Sequence, residues 1–109
     1  MTNEQQNLMK ELGQAIEANG FTFLRFMNCE TIAVYCLANK VDHTIEIVET
    51  YRNNGTSENK SCYIEVVKWY KMGGGSIIER IKINQKDGQK KRQNAINKIV
   101  NAYYNSITK

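Results

Sequence analysis

Proline is absent from this 109-residue chain, histidine occurs once, and none of the three cysteines is spaced as CxxC. Each scarcity excludes something. Cys29, Cys36 and Cys62 are odd in number and lack metal-knuckle spacing, so neither a complete disulfide framework nor a zinc knuckle is supported. They are expected to be reduced thiols, with Cys36 and Cys62 as small strand residues. The longest mostly apolar stretch, Ile32 to Ala38, falls far short of the roughly 20 residues a membrane-spanning helix needs. The opening Met1-Thr2-Asn3-Glu4 is polar and acidic where an export signal needs a basic start and an apolar run. A cytoplasmic location without membrane contact is therefore expected. No Pro/Gly/Ser-rich linker divides the chain, which predicts one domain over residues 1–109.

What is present is patterned. Leu8, Met9, Leu12, Ala15 and Ile16 recur at helical spacing between Asn3 and Asn19, and Gly20 follows where a left-handed residue can end a helix. From Phe21 to Asn84 the period changes to that of strands. Phe21 to Met27 and Thr31 to Ala38 are predicted to pair as a hairpin through Asn28-Cys29-Glu30, followed by Thr44 to Arg52, Cys62 to Met72 and Ile77 to Asn84. Asn53 to Lys60 is a loop of turn formers, and Gly73-Gly74-Gly75-Ser76 a flexible turn. In Thr31 to Ala38 both alternating sets are apolar, which marks it for the sheet centre. Ile77, Ile81 and Ile83 are assigned to one face of the last strand and Ile78, Arg80 and Lys82 to the other, so Glu46, Glu65, Arg80 and Lys82 form a solvated, charge-paired face. Helical spacing returns through Ala95, Ile96, Ile99, Val100, Tyr103 and Ile107. The expected fold class is α+β: an antiparallel sheet of about five strands flanked by N-terminal and C-terminal helices on one face.

The formal net charge is +4, and its excess gathers at the C-terminal end, where Asp87 is the lone acid among Lys86, Lys90, Lys91, Arg92, Lys98 and Lys109. Four of these cations crowd a helix start, where the dipole disfavours each by about 0.3–1 kcal/mol. Free N–H groups of a first turn beside Lys86, Lys90, Lys91, Arg92 and Lys98 would suit a phosphate backbone. A solvated helix face is the plainer alternative. The stretch Gly88-Gln89-Lys90-Lys91-Arg92-Gln93-Asn94-Ala95 resembles the start of the second helix of double-stranded-RNA-binding domains, which also run helix, antiparallel strands, helix. That resemblance implies phosphate contacts by the lysines. It covers only this short stretch, and the chain departs from the family in placing Gln93 and Asn94 before the first alanine and in expecting five strands where the family has three, so no membership follows.

Other constellations offer chemistry at weaker spacing. A divalent-metal nuclease would draw on Asp42, Glu46, Glu65 and Lys68, but Glu65 and Lys68 are three apart and point to opposite faces of a regular strand. His43 with Cys36 or Cys62 would make a nucleophile and base only if the fold joined them, and a lone histidine at the start of a strand is expected at the surface or in a turn. Trp69, Tyr70 and Lys71, with Tyr51 and Arg52 on the preceding strand, mix aromatics and cations as protein interfaces and single-stranded nucleic acid platforms do. Tyr103 is expected inward and Tyr104 outward. The reading preferred from sequence is a small non-enzymatic binding protein with no metal or other cofactor, its contact surface the basic start of the last helix and its partner a nucleic acid or an acidic protein surface. Alternatives are an accessory or inhibitor protein of the phage or mobile-element type, acting by protein–protein binding, and the metal-dependent nuclease.

Overall fold

The computed structural model describes residues 3–28, 32–40, 42–50, 61–84 and 86–108. Helix α1 (Asn3–Glu17) leads into five strands, β1 (Thr22–Asn28), β2 (Ile32–Lys40), β3 (His43–Thr50), β4 (Ser61–Trp69) and β5 (Gly75–Asn84), and helix α2 (Gln89–Ile107) follows. The strands form one antiparallel meander in the order β1-β2-β3-β4-β5. This is the α+β architecture the sequence implies.

Periodicity accounts for the layering. Leu8, Met9, Leu12 and Ile16 form the buried stripe of α1, and Ala95, Ile96, Ile99 and Tyr103 that of α2. Both stripes cover the inward residues of the sheet, among them Tyr35, Leu37, Ile45, Ile47, Cys62, Ile64, Val66 and Ile83. Each fully buried isoleucine contributes about 1.5–3 kcal/mol relative to exposure. α1 ends as its sequence implies: Gly20 adopts φ 94°, and its N–H bonds to the Glu17 carbonyl. Gly13 serves packing instead, because a Cβ there would lie 2.4 Å from the Tyr35 ring.

Three expectations need correction. The sheet centre is β3, not β2, since β1 and β5 are the edges of a five-stranded meander. The outward residues of β2, Val34, Cys36 and Ala38, are small and buried between longer neighbours, which explains the strand's doubly apolar pattern without a second layer. Ile77 leaves the core: the register shifts between Val66 and Val67, skipping Ile78 and pairing Ile77 with Val67, so Ile77 is exposed while Ile81 and Ile83 pack inward. His43 is buried, its ring packed edge-on against Tyr103 at 6.1 Å. The hairpin turn expected at Cys29-Glu30 and the loop expected at residues 53–60 lie outside the described residues, as do Tyr51 and Arg52.

Candidate functional site

Two surfaces compete. The first is the start of α2, where Lys86 lies in the turn before the helix, Arg92 faces α1, and Lys91 and Lys98 face β5. Arg92 points to α1 and pairs with Glu11, which also accepts a hydrogen bond from Gln89 Nε2 at 3.0 Å. Lys91 pairs with Asp87 at 3.2 Å, and Lys98 stands beside it along β5, where both line a shallow hollow with Ile81, Ile83, Asn94 and Ala95. Lys86 and Lys90 are exposed. Asp87 is also bound by the Asn84 N–H at 2.8 Å, and that bond, with Lys91 adding to it, holds its carboxyl below the usual range. A carboxylate thus already sits at the positive end of the helix, as the dipole favours. Gly88 is the N-cap and supplies no side-chain bond.

The second surface is the end of the β4–β5 hairpin. Its turn is closed by Tyr70 N–H to the Gly74 carbonyl and Gly73 N–H to the Tyr70 carbonyl, both 3.1 Å, with Gly73 and Gly74 at φ 105° and 76°. Gly75 is needed for space, since a Cβ would lie 3.0 Å from the Lys68 carbonyl, the Trp69 ring and Val67. The glycine run is therefore a shaped turn that lays Trp69 across the sheet. Trp69 Nε1 donates to Thr44 Oγ1 at 2.9 Å, Thr44 donates to Glu46 at 3.0 Å, and the Tyr70 hydroxyl is 2.7 Å from Ser76 Oγ. Around this scaffold Met72 is 98% exposed, and Trp69, Tyr70, Ile77 and Ile78 are between 38% and 53% exposed. Trp69 is thus on the open face of the sheet rather than beneath a helix. Lys71 lies in the turn and does not share a strand face with it. Sequence reasoning singled out Trp69 and Tyr70 but missed Met72, Ile77 and Ile78; the signal available was the glycine run beside an isoleucine pair.

On the same open face a row crosses all five strands: Arg25, Cys36, Glu46, Glu65 and Arg80 are successive cross-strand partners. Glu46 and Glu65 stand directly opposite each other, an unfavourable like-charge pair. Arg80 offsets it by pairing with Glu65 at 3.0 Å while lying 3.9 Å over the Tyr63 ring. Burial pushes the Glu65 carboxyl up, against the pull of Arg80 and with a further push from Glu46. Glu65 is buried rather than solvated, which corrects the expectation of a fully solvated charged face.

The catalytic candidates are divided between faces. Lys68 pairs with His43 on the helix side of the sheet, whereas Glu46 and Glu65 occupy the open side. The extra residue of the nearby bulge is Ile78 on β5, so it does not swing Lys68 around. Asp42 is bound to His43 Nδ1 at 3.0 Å, and that bond lowers its carboxyl below the usual value. Cys36 faces away from His43, and Cys62 lies at the other end of β4, roughly 20 Å along the strand. Burial raises both thiols, Cys62 to about 12. Among the described residues no three His, Cys, Asp or Glu side chains converge as a metal-binding group, and no helix is long and apolar enough to cross a membrane. No family model, curated protein or solved structure matches the chain.

Proposed function

We propose that this protein is a non-catalytic binding module that docks a partner protein through the tip of the β4–β5 hairpin, acting as an accessory or inhibitory subunit. The observation that carries this is the exposure of five large apolar side chains, Trp69, Tyr70, Met72, Ile77 and Ile78, around one hydrogen-bonded turn. Scattered surface apolar residues are ordinary, but five within the ten residues that enter, form and leave one turn favour an interaction site. Its composition suits a hot spot, with a tryptophan, a tyrosine and an unbranched methionine that adapts to the opposing surface. Preorganisation supports the same reading, because Trp69 and Tyr70 are already held by Thr44 and Ser76 and lose little freedom on binding. Lys71, exposed within the turn, favours an acidic rim on the partner.

Nucleic-acid binding through Lys86, Lys90, Lys91, Arg92 and Lys98 is the competing reading. It is less favoured because Lys91 and Arg92 are held in intramolecular pairs, Lys91 on the β5 side of α2 and Arg92 on the α1 side. The two are separated by placing a photo-crosslinking phenylalanine at position 72, with and without Trp69→Ala, beside titrations of labelled DNA and RNA at low and physiological salt. The docking reading expects crosslinks concentrated on one protein partner and lost with Trp69→Ala. Diffuse crosslinks, together with nucleic-acid binding that falls with salt and disappears in a Lys90/Lys91/Arg92→Ala variant, would replace it with the nucleic-acid reading.

A further inference from the structure

Among the described residues β5 is hydrogen-bonded to β4 alone, so the other side of this ten-residue strand presents a row of backbone donors and acceptors at the sheet edge. The two edges are not alike. β1 is short, and its ladder is interrupted between Phe23 and Arg25. β5 keeps an uninterrupted register from Glu79 to Asn84, after its bulge at Ile78. Beside that regular stretch lies the hollow between β5 and α2, its apolar part formed by Ile81, Ile83 and Ala95 and its rim by Lys91, Lys98 and Asn94. On the opposite face of the strand stand Arg80 and Lys82. The edge is therefore flanked by cations on both sides. Lys82 and Lys98 make no ion pair among the described residues, Arg80 engages Glu65, and Lys91 engages Asp87. The acids nearby are those two and Glu79, which lies at the hairpin end of the stretch.

We infer that the free edge of β5 accepts an acidic, extended segment of the partner protein as a sixth strand, with alternate side chains apolar toward the Ile81/Ile83/Ala95 hollow and acidic toward Arg80 and Lys82. The pairing supplies backbone hydrogen bonds, and the alternation supplies selectivity. The same cations disfavour a second copy of this chain, whose β5 would bring Arg80 and Lys82 against their like, so the edge is guarded against self-pairing and open to an acidic strand. The inference rests on the protein-docking reading and extends it: β5 begins at the hairpin turn, so a strand laid along Glu79 to Asn84 continues the apolar tip.

The test uses a fluorescein-labelled ten-residue peptide of alternating valine and glutamate, its valine–lysine counterpart, two valine–glutamate peptides N-methylated on alternate sets of residues, and a single-stranded RNA oligonucleotide. Binding is read by anisotropy and by backbone amide exchange. The valine–glutamate peptide is expected to bind and to protect amides within residues 79–84, and the valine–lysine peptide not to bind. A strand pairs through one edge only, so one N-methylated peptide should match the parent and the other should lose binding. Lys82→Glu/Lys98→Glu should weaken binding about tenfold. Equal binding by both N-methylated peptides, protection elsewhere, or binding of the RNA but not the peptide overturns the inference. A failed peptide titration alongside Trp69-dependent crosslinking at position 72 removes the edge site and leaves the tip standing. Crosslinking that ignores Trp69→Ala removes the tip itself.

Discussion

Replacing Tyr103 with phenylalanine removes one oxygen atom from a fully buried side chain, and that atom joins α2 to the turn between β2 and β3. The hydroxyl accepts the backbone N–H groups of Asn39 and Lys40, both at 2.9 Å, and donates to the His43 carbonyl at 3.0 Å. Those N–H groups need an outside partner because the β2–β3 register shifts between Ala38 and Lys40. The ring itself packs edge-on against Phe21 at 4.8 Å, so a phenylalanine would keep its place. The loss is then one of unsatisfied backbone groups, each costing about 1–3 kcal/mol when water cannot reach it. The two part-buried N–H groups recover some solvation and the His43 carbonyl does not, which sets the expected cost at about 3 kcal/mol. Urea unfolding followed by circular dichroism and by the fluorescence of Trp69, the chain's one tryptophan, should show the midpoint lowered by roughly 1–2 M. The melting temperature should fall by about 10 °C or more. Tyr104→Phe is the control: its exposed hydroxyl lies 3.2 Å from the Asn39 amide, and its loss should cost less than about 0.5 kcal/mol. Equal effects from the two substitutions would refute the bracing role of Tyr103.

Gly13→Ala should destabilise by about 2 kcal/mol, although alanine favours a helix by about 1 kcal/mol, because the added methyl meets the Tyr35 ring; a stabilised variant on thermal unfolding would contradict this. Tyr35 is pushed up to about 12 by burial and by its hydrogen bond to Glu17 at 2.8 Å, from an ordinary value of 10. The unfolded chain releases that proton first, so stability should fall as pH rises from 10 toward 12, and a Tyr35→Phe variant should lose less over the same interval; parallel curves would refute the assignment. Burial raises the Cys62 thiol to about 12, with Glu49 adding to the push. Iodoacetamide at neutral pH should leave the Cys62 peptide unmodified in the native protein and label it after unfolding, as mass spectrometry would read; native labelling would show that α2 opens readily.

Much of the architecture is legible in the residue pattern because face selection is local. A period of 3.6 or of 2 states which side chains share a surface, and that assigned Leu8, Leu12 and Ile16 to one stripe, Ile64 and Val66 to one face of β4, and Tyr103 and Tyr104 to opposite sides of α2. Gly20 states where α1 stops, because few other residues take its conformation without cost. Pattern does not state which strands are neighbours or where a ladder slips. The central place of β3, the skipped residue at Ile78 that turns Ile77 outward, and the burial of His43 under Tyr103 all depend on groups far apart in the chain. The candidate surfaces divide along the same line. The cations of α2 could be counted from sequence, but their engagement with Glu11 and Asp87 could not. Trp69 and Tyr70 could be named, but their gathering with Met72, Ile77 and Ile78 into one exposed tip required the turn, the bulge and the open sheet face together, since exposure is set by what the rest of the fold leaves uncovered.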